Sequence, residues 1–151
     1  RIKRVLVNHT NNKSLKVGHG GTLDPFATGV LTIGVGDGCK SLTGLLHGSK
    51  EYIVKAKLGI ATDTMDIEGK QTTTAPYSHI DEELLKKVIQ SKIGKIMQTP
   101  PAYSALRVNG VRAYSLARQG VDVELEPRQV TIFDMQLLQF ALPDFTLKIV
   151  C

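Results

Sequence analysis

Gln129-Val-Thr-Ile-Phe-Asp-Met-Gln-Leu-Leu138, followed beyond Pro143 by Phe145-Thr-Leu-Lys-Ile-Val150, runs apolar or alternating over two strand lengths. With Val121 to Leu125, these residues predict that everything after Gly120 is β, punctuated by Pro127 and Pro143. Further upstream, strict alternation begins at Tyr52. Tyr52, Val54, Ala56 and Leu58 fall on one face of a strand and Glu51, Lys55 and Lys57 on the other, the pattern of a sheet covered on one side. Asp81 to Lys92 predicts a helix: Leu84, Leu85, Val88 and Ile89 form one apolar stripe, acids fill the first turn, and Gly94 follows as a stop. Ala102 to Val108 predicts a strand reaching the turn pair Asn109-Gly110, and Val111 to Gln119 a short helix stopped by Gly120. Nearer the start, residues 29–36 read as a buried strand and Cys39 to Leu46 as a short helix ending at a glycine-flanked turn. Helices scattered among strands without a regular βαβ rhythm predict an α+β fold.

The 151 residues, 42% hydrophobic and 22% charged, suit a single globular domain with one core. No internal repeat or low-complexity linker interrupts them. No apolar run approaches the length of a membrane span and no leader pattern opens the chain, so a soluble intracellular protein is expected. Cys39 and Cys151 are the only cysteines and neither has metal-ligand spacing, which argues for two free thiols over a disulfide framework or a zinc site. The net charge of +5 is unevenly spread: residues 1–57 hold nine Lys/Arg against three Asp/Glu, whereas residues 58–151 hold ten against eleven. A positive field of that kind attracts phosphate, although a moderately basic surface also serves solubility alone.

Ten of the fourteen glycines lie between Gly18 and Gly59, where the backbone must turn tightly or approach something closely. Within that stretch, Gly34-Val-Gly-Asp-Gly-Cys-Lys40-Ser41 nearly matches a phosphate-cradling loop. That loop needs glycine immediately before the lysine so that its amides can wrap phosphate, and Cys39 stands there instead. Only Asp134 follows an apolar strand as a metal-binding acid would, so a nucleotide triphosphatase is a poor reading. The densest constellation is Lys16-Val-Gly-His-Gly-Gly-Thr-Leu-Asp-Pro-Phe-Ala-Thr-Gly29. Pro25 biases Asp24 toward extended geometry, and the glycines let a polymer backbone come close, so the carboxylate could be presented at the floor of a cleft. Spacing alone favours a plainer alternative, an Asp-Pro turn whose carboxylate accepts local amides. For His19, a hydrogen-bonded loop histidine is a better reading than a metal ligand, because no second ligand stands at the required spacing.

Gly18-His-Gly-Gly-Thr-Leu-Asp-Pro-Phe-Ala-Thr-Gly-Val-Leu31 closely resembles the catalytic-aspartate motif of the TruB family of pseudouridine synthases. Further blocks agree in order: Lys50-Glu-Tyr-Ile-Val54, Gly59-Ile-Ala-Thr-Asp-Thr-Met-Asp66 with Glu68-Gly69, Gln98-Thr-Pro-Pro-Ala-Tyr-Ser-Ala-Leu106, and Glu126-Pro-Arg-Gln-Val-Thr-Ile132. Gly20, where bacterial members usually carry threonine, together with the Glu126 block, resembles the eukaryotic stand-alone branch. The resemblance implies the pseudouridine synthase catalytic fold, a mixed, mainly antiparallel sheet flanked by helices. It implies an isomerase that converts the T-loop uridine of tRNA, position 55, into pseudouridine, with no cofactor and no metal. Asp24 falls on the family's catalytic aspartate, His19 on the histidine beside the flipped nucleotides, and Tyr52 on the tyrosine that stacks against the base. Gly20, Thr22 and Tyr103 join them as substrate-binding candidates; Lys16, Arg107, Arg112 and Arg118 are candidates for RNA-backbone contact.

The same resemblance sets expectations for context. The partner is tRNA through its T-stem-loop, with other RNAs of similar loop, including mRNA, as further candidates; no membrane is involved, and the full-length protein is expected to be monomeric. The compartment implied is the nucleus, the mitochondrion or both. The family's upstream lysine-proline-glycine segment, the downstream strand carrying a basic partner for the aspartate, and any PUA domain lie outside residues 1–151, so the chain reads as a catalytic-domain fragment truncated at both ends and expected to be inactive alone. Two alternatives stand beside this reading: a guide-RNA-dependent subunit of the box H/ACA type, and an RNA-binding module without turnover.

Overall fold

A computed structural model describes residues 1–46 and 48–151. The chain divides into two compact units, Arg1–Ser49 and Lys50–Cys151.

The first unit opens with helix α1 (Ile2–Thr10), which the sequence reading did not anticipate; its apolar residues Ile2 and Val5 are both exposed. Strands β1 (Val17–His19) and β2 (Ile33–Val35) pair antiparallel, with Gly18 opposite Gly34. The strand expected over residues 29–36 is therefore three residues long, and it is not a buried run: Val30 is 96% exposed and Leu31 exposed. An apolar run carries no periodicity to tell a covered strand from an uncovered one, and only the part opposite β1 gains ladder partners. A 3-10 turn over Gly36–Ser41 leads into α2 (Leu42–Leu46), so the helix expected from Cys39 divides in two. The turn expected next reaches His47, outside the described residues. Gly34 sets this packing. A Cβ there would lie 2.9 Å from Cys39 Cα, from the Gly38 carbonyl oxygen and from Leu42 Cδ1, which is why the 3-10 turn can close onto β2.

The second unit is built on an antiparallel sheet of β10 (Asp134–Ala141), β11 (Asp144–Val150) and β3 (Glu51–Lys57), with β11 in the middle. Register places Ile149 opposite Tyr52, Leu147 opposite Val54 and Phe145 opposite Ala56, so these six share one face. Helix α3 (Glu82–Gln90) covers that face over β10, where Leu85, Ile89 and Met135 form the core and Leu137, Phe145, Leu147 and Ile149 pack around it. The cover does not reach β3. Tyr52 is 47% exposed, so the side that alternation marks as covered is the core face of the sheet, left open at its edge strand.

Hairpin β4 (Ile60–Thr62) with β5 (Gln71–Thr74), and strand β6 (Gly94–Gln98), were not foreseen. Four further expectations are corrected. Ala102 to Val108 is mostly a bent segment, with only β7 (Arg107–Val108) extended and paired to β8 (Val111–Arg112) across Asn109 and Gly110, both at positive φ. The following helix, α4 (Ala113–Ala117), begins two residues later than expected because Val111 and Arg112 belong to that hairpin. Val121 to Leu125 alternates in burial but joins no strand; alternation predicts extension, and a strand also needs a neighbour for its ladder. The long stretch Gln129–Leu138 is two strands: β9 (Arg128–Ile132) pairs with β6, and at Phe133 the chain passes to β10 and a different sheet. Every pairing is antiparallel, and the architecture is α+β as expected.

Candidate active site

Asp24 stands at the head of a turn in the loop that joins β1 to β2. Its backbone carbonyl accepts the Ala27 N–H at 2.9 Å, and Pro25 occupies the second turn position, where its fixed φ is already correct. The carboxylate accepts no local amide. It is exposed, with no hydrogen bond or ion pair among the described residues, so the Asp-Pro element forms while the side chain stays available. Gly21, at φ +144, and Gly29, at φ +153, bracket the loop in backbone conformations that L side chains rarely adopt.

His19 ends β1 with its ring exposed, and its Nδ1–H donates to the Gly21 carbonyl. That bond engages Nδ1, and Nε2 meets no partner among the described residues. Gly20 continues the β1–β2 pairing through its N–H to Thr32 O at 2.9 Å and packs closely against Leu42. Thr22 is exposed in the loop, and Lys16 is exposed just before β1, its ammonium in no ion pair among the described residues. Asp24, His19, Gly20, Thr22 and Lys16 thus belong to one compact unit. The neighbouring glycine-rich stretch does not cradle an anion as a triphosphatase loop would: Cys39 Sγ donates back to Gly34 O at 3.3 Å, and Lys40 pairs with Asp37 at 2.7 Å.

The other candidates lie in the second unit. Tyr52 sits on the open part of the sheet's core face. Tyr103 is half-buried in the bent segment before β7. Arg107 Nη1 donates to Gly110 O at 2.7 Å and Arg112 Nη1 to Ala105 O at 2.7 Å, while the Arg118 guanidinium lies 5.5 Å from the Tyr114 ring centroid. These three arginines already engage the protein, whereas Lys16 does not.

The Thr62–Lys70 loop, whose motif carries no assigned role, is closed by its own side chains. Asp66 Oδ1 accepts from Thr64 Oγ1 at 2.6 Å and from the Glu68 N–H at 2.9 Å, and Asp63 Oδ1 accepts from the Lys70 N–H at 2.8 Å. The Thr64 hydroxyl, then the Glu68 amide, hold the Asp66 carboxyl below its ordinary value. Gly69 is packed so tightly that a Cβ would lie 2.2 Å from Thr64 Oγ1, and the closed loop holds Met65 and Ile67 outward, each 79% exposed. The Thr-Asp-Thr-x-Asp-x-Glu-Gly pattern, dense in local acceptors, is the signal for such a loop. Among the described residues no group of three His, Cys, Asp or Glu could hold a metal ion, and no helix is long and apolar enough to cross a membrane.

Comparison with known proteins gives these sites a context. Residues 4–151 match the profile of the TruB family pseudouridylate synthase (N terminal domain). The chain is 48% identical over 145 residues to pseudouridylate synthase TRUB1 of Mus musculus, covering 95% of this chain and 43% of that protein. It is 43% identical over 139 residues to tRNA pseudouridine synthase B of Bacteroides fragilis, covering 92% of this chain and 60% of the relative. The chain therefore spans about two fifths to three fifths of the curated relatives it matches. Among solved structures, a Cbf5-Nop10-Gar1 complex aligns with 99% of this chain and 34% of its own, at a TM-score of 0.63 and 20% identity. An H/ACA RNP bound to a substrate RNA containing 2'-deoxyuridine aligns at a TM-score of 0.59 and 17% identity. At that identity the likeness is one of fold.

Proposed function

We propose that this chain, which belongs to the TruB family of pseudouridylate synthases, is part of the catalytic domain of an enzyme that isomerises the T-loop uridine of tRNA, position 55, to pseudouridine. The observation that carries the proposal is Asp24, its backbone held at the head of a proline turn and its exposed carboxylate engaged by no neighbour among the described residues. The isomerisation breaks the C1'–N1 glycosidic bond, turns the freed uracil and joins C1' to C5, after which C5 loses its proton and N1, which kept the electron pair of the broken bond, takes one up. No electrons are gained or lost. Asp24 serves as nucleophile, its carboxylate attacking the nucleotide covalently or stabilising the electron-poor sugar while the glycosidic bond is broken.

The target base must first leave the RNA stack. By the family resemblance Tyr52 replaces the lost stacking and His19 lies beside the flipped nucleotides; Gly20, Thr22 and Tyr103 are further substrate-binding candidates. Of the backbone candidates Lys16, Arg107, Arg112 and Arg118, Lys16 is the strongest, since its ammonium is free to meet phosphate. The substrate range includes other RNAs with a similar loop, mRNA among them. The full-length protein acts as a monomer inside the cell, in the nucleus, the mitochondrion or both. Identities of 43–48% to pseudouridylate synthase TRUB1 and tRNA pseudouridine synthase B support the tRNA pseudouridine synthase reading.

The test is tritium release from C5-labelled uridine in a T-stem-loop RNA by the full-length protein and its Asp24→Asn variant. The substitution preserves volume and removes the nucleophile, so turnover is expected to vanish while RNA binding persists. A variant rate within about tenfold of wild type, only about 1.4 kcal/mol in the barrier, refutes the assignment of Asp24.

A further inference from the structure

Ser104, Ala105 and Leu106 present three successive backbone carbonyls, and three successive residues across the hairpin take all of them. The Tyr114 N–H donates to Ser104 O at 3.1 Å, Arg112 Nη1 to Ala105 O at 2.7 Å, and the Ala113 N–H to Leu106 O at 2.8 Å. Ala113 is wholly buried at the centre of this clamp. The hairpin between the two halves is itself locked, by positive φ at Asn109 and Gly110 and by Arg107 Nη1 on Gly110 O at 2.7 Å.

The clamped segment does not rest in a shape of its own choosing. Ser104 donates its N–H to Ala102 O only two residues back, at 2.9 Å, and its buried Oγ has no hydrogen-bond partner among the described residues. A buried hydroxyl without a partner favours relaxation, so the fold must hold the segment from outside. Two holding bonds come from backbone. The third, to the middle carbonyl, comes from a charged side chain, and charge-assisted bonds are the stronger kind.

We infer that Arg112 is a positioning residue: its guanidinium closes the clamp on Ala105 and thereby fixes the preceding Tyr103, and it does not serve as a phosphate contact. What Tyr103 is placed for rests on the function proposed above; the clamp itself does not. A guanidinium engaged through Nη1 with a main-chain carbonyl gives up that bond if it swings to follow a passing RNA strand. It also sets its partner carbonyl with a directionality that a free surface cation lacks.

The full-length protein separates the roles through Arg112→Met, which keeps the stem without the donor, and Arg112→Lys, which restores a donor. Amide hydrogen exchange without RNA is expected to quicken tenfold or more at Ala113 and Tyr114 in Arg112→Met, and at few positions elsewhere, with recovery in Arg112→Lys. With T-stem-loop RNA, Arg112→Met is expected to lower kcat about tenfold at unchanged KM, again recovering in Arg112→Lys. The slope of log affinity against log salt is expected to match wild type in both. A slope shallower by about one unit in Arg112→Met, as loss of one phosphate contact produces, overturns the inference. So does unchanged exchange at the two amides, or faster exchange throughout the chain at unchanged kcat, the mark of general destabilisation. If wild type neither binds this RNA nor releases tritium, the proposed function fails, and the exchange arm still decides the clamp.

Discussion

Asp24 is available because its neighbours do the local work: Pro25 supplies the turn angle and the Asp24 carbonyl closes it, leaving the carboxylate unengaged. Gly34 shows the converse, a residue whose lack of a side chain is its contribution. Two of the three atoms 2.9 Å from its missing Cβ are backbone, so nothing flexible can yield. Gly34→Ala is expected to lower unfolding stability by about 1–3 kcal/mol, read by chemical denaturation, as overpacking does. A Gly34→Ala protein as stable as wild type would show that the 3-10 turn does not close onto β2. Asp66 gives a pH signature. Its folded carboxyl lies below the ordinary value of 3.8, so its bonds stabilise the loop above that pH and are lost as pH falls through the folded value. Protection of the Glu68 amide, whose N–H donates to that carboxylate, should therefore fall on acidification when its exchange is compared with the intrinsic rate at the same pH. In Asp66→Asn that protection should already be low at neutral pH and change less with acid.

At the scale of elements, the best-foreseen part is α3. Asp81 precedes it, its carboxylate accepts the Leu84 N–H at 2.7 Å, and Glu82 and Glu83 follow in the first turn. Asp81→Ala is expected to cost about 1 kcal/mol through loss of that cap, measurable as a shift in denaturation midpoint. Because α3 covers the core face of the sheet, an unchanged midpoint would mean that packing of Leu85 and Ile89 fixes the helix without its cap. Capping and the apolar stripe were legible because both are local. So were β3, β11 and the Asn109-Gly110 turn, each written in a few adjacent residues. The division of Gln129–Leu138 between two sheets was not, because a change of partner at Phe133 leaves no mark on the pattern. The bend before β7 was hidden for a similar reason: apolar residues there are held by carbonyl acceptance from α4 and its entry, a contact between distant positions. The candidate site follows the same rule. Motif order pointed to Asp24, His19 and Tyr52, while the engagements of Arg107, Arg112 and Arg118 depend on where folding places their partners.

At the scale of the molecule, RNA affinity should depend on charge that is free, which differs from charge that is counted. Residues 1–57 carry nine Lys/Arg against three Asp/Glu, and an RNA that meets this excess releases its condensed counterions. Lys16 has no carboxylate partner among the described residues. Lys148 is different: its ammonium lies 2.9 Å from Glu51, and that hydrogen bond and charge together raise its pKa. Neutralising Lys16 should remove a phosphate contact, whereas neutralising Lys148 removes a charge already balanced within the sheet. Affinity of the full-length protein for a T-stem-loop is therefore expected to fall steeply from low to physiological salt. Lys16→Ala should make the log–log slope shallower by about 0.7–0.9, the share of one phosphate, and Lys148→Ala should leave it at the wild-type value. A flat salt dependence in wild type would remove the electrostatic account altogether. Equal slopes for all three proteins, on a steep wild-type background, would place the phosphate contacts on other cations and leave Lys16 as ordinary surface charge.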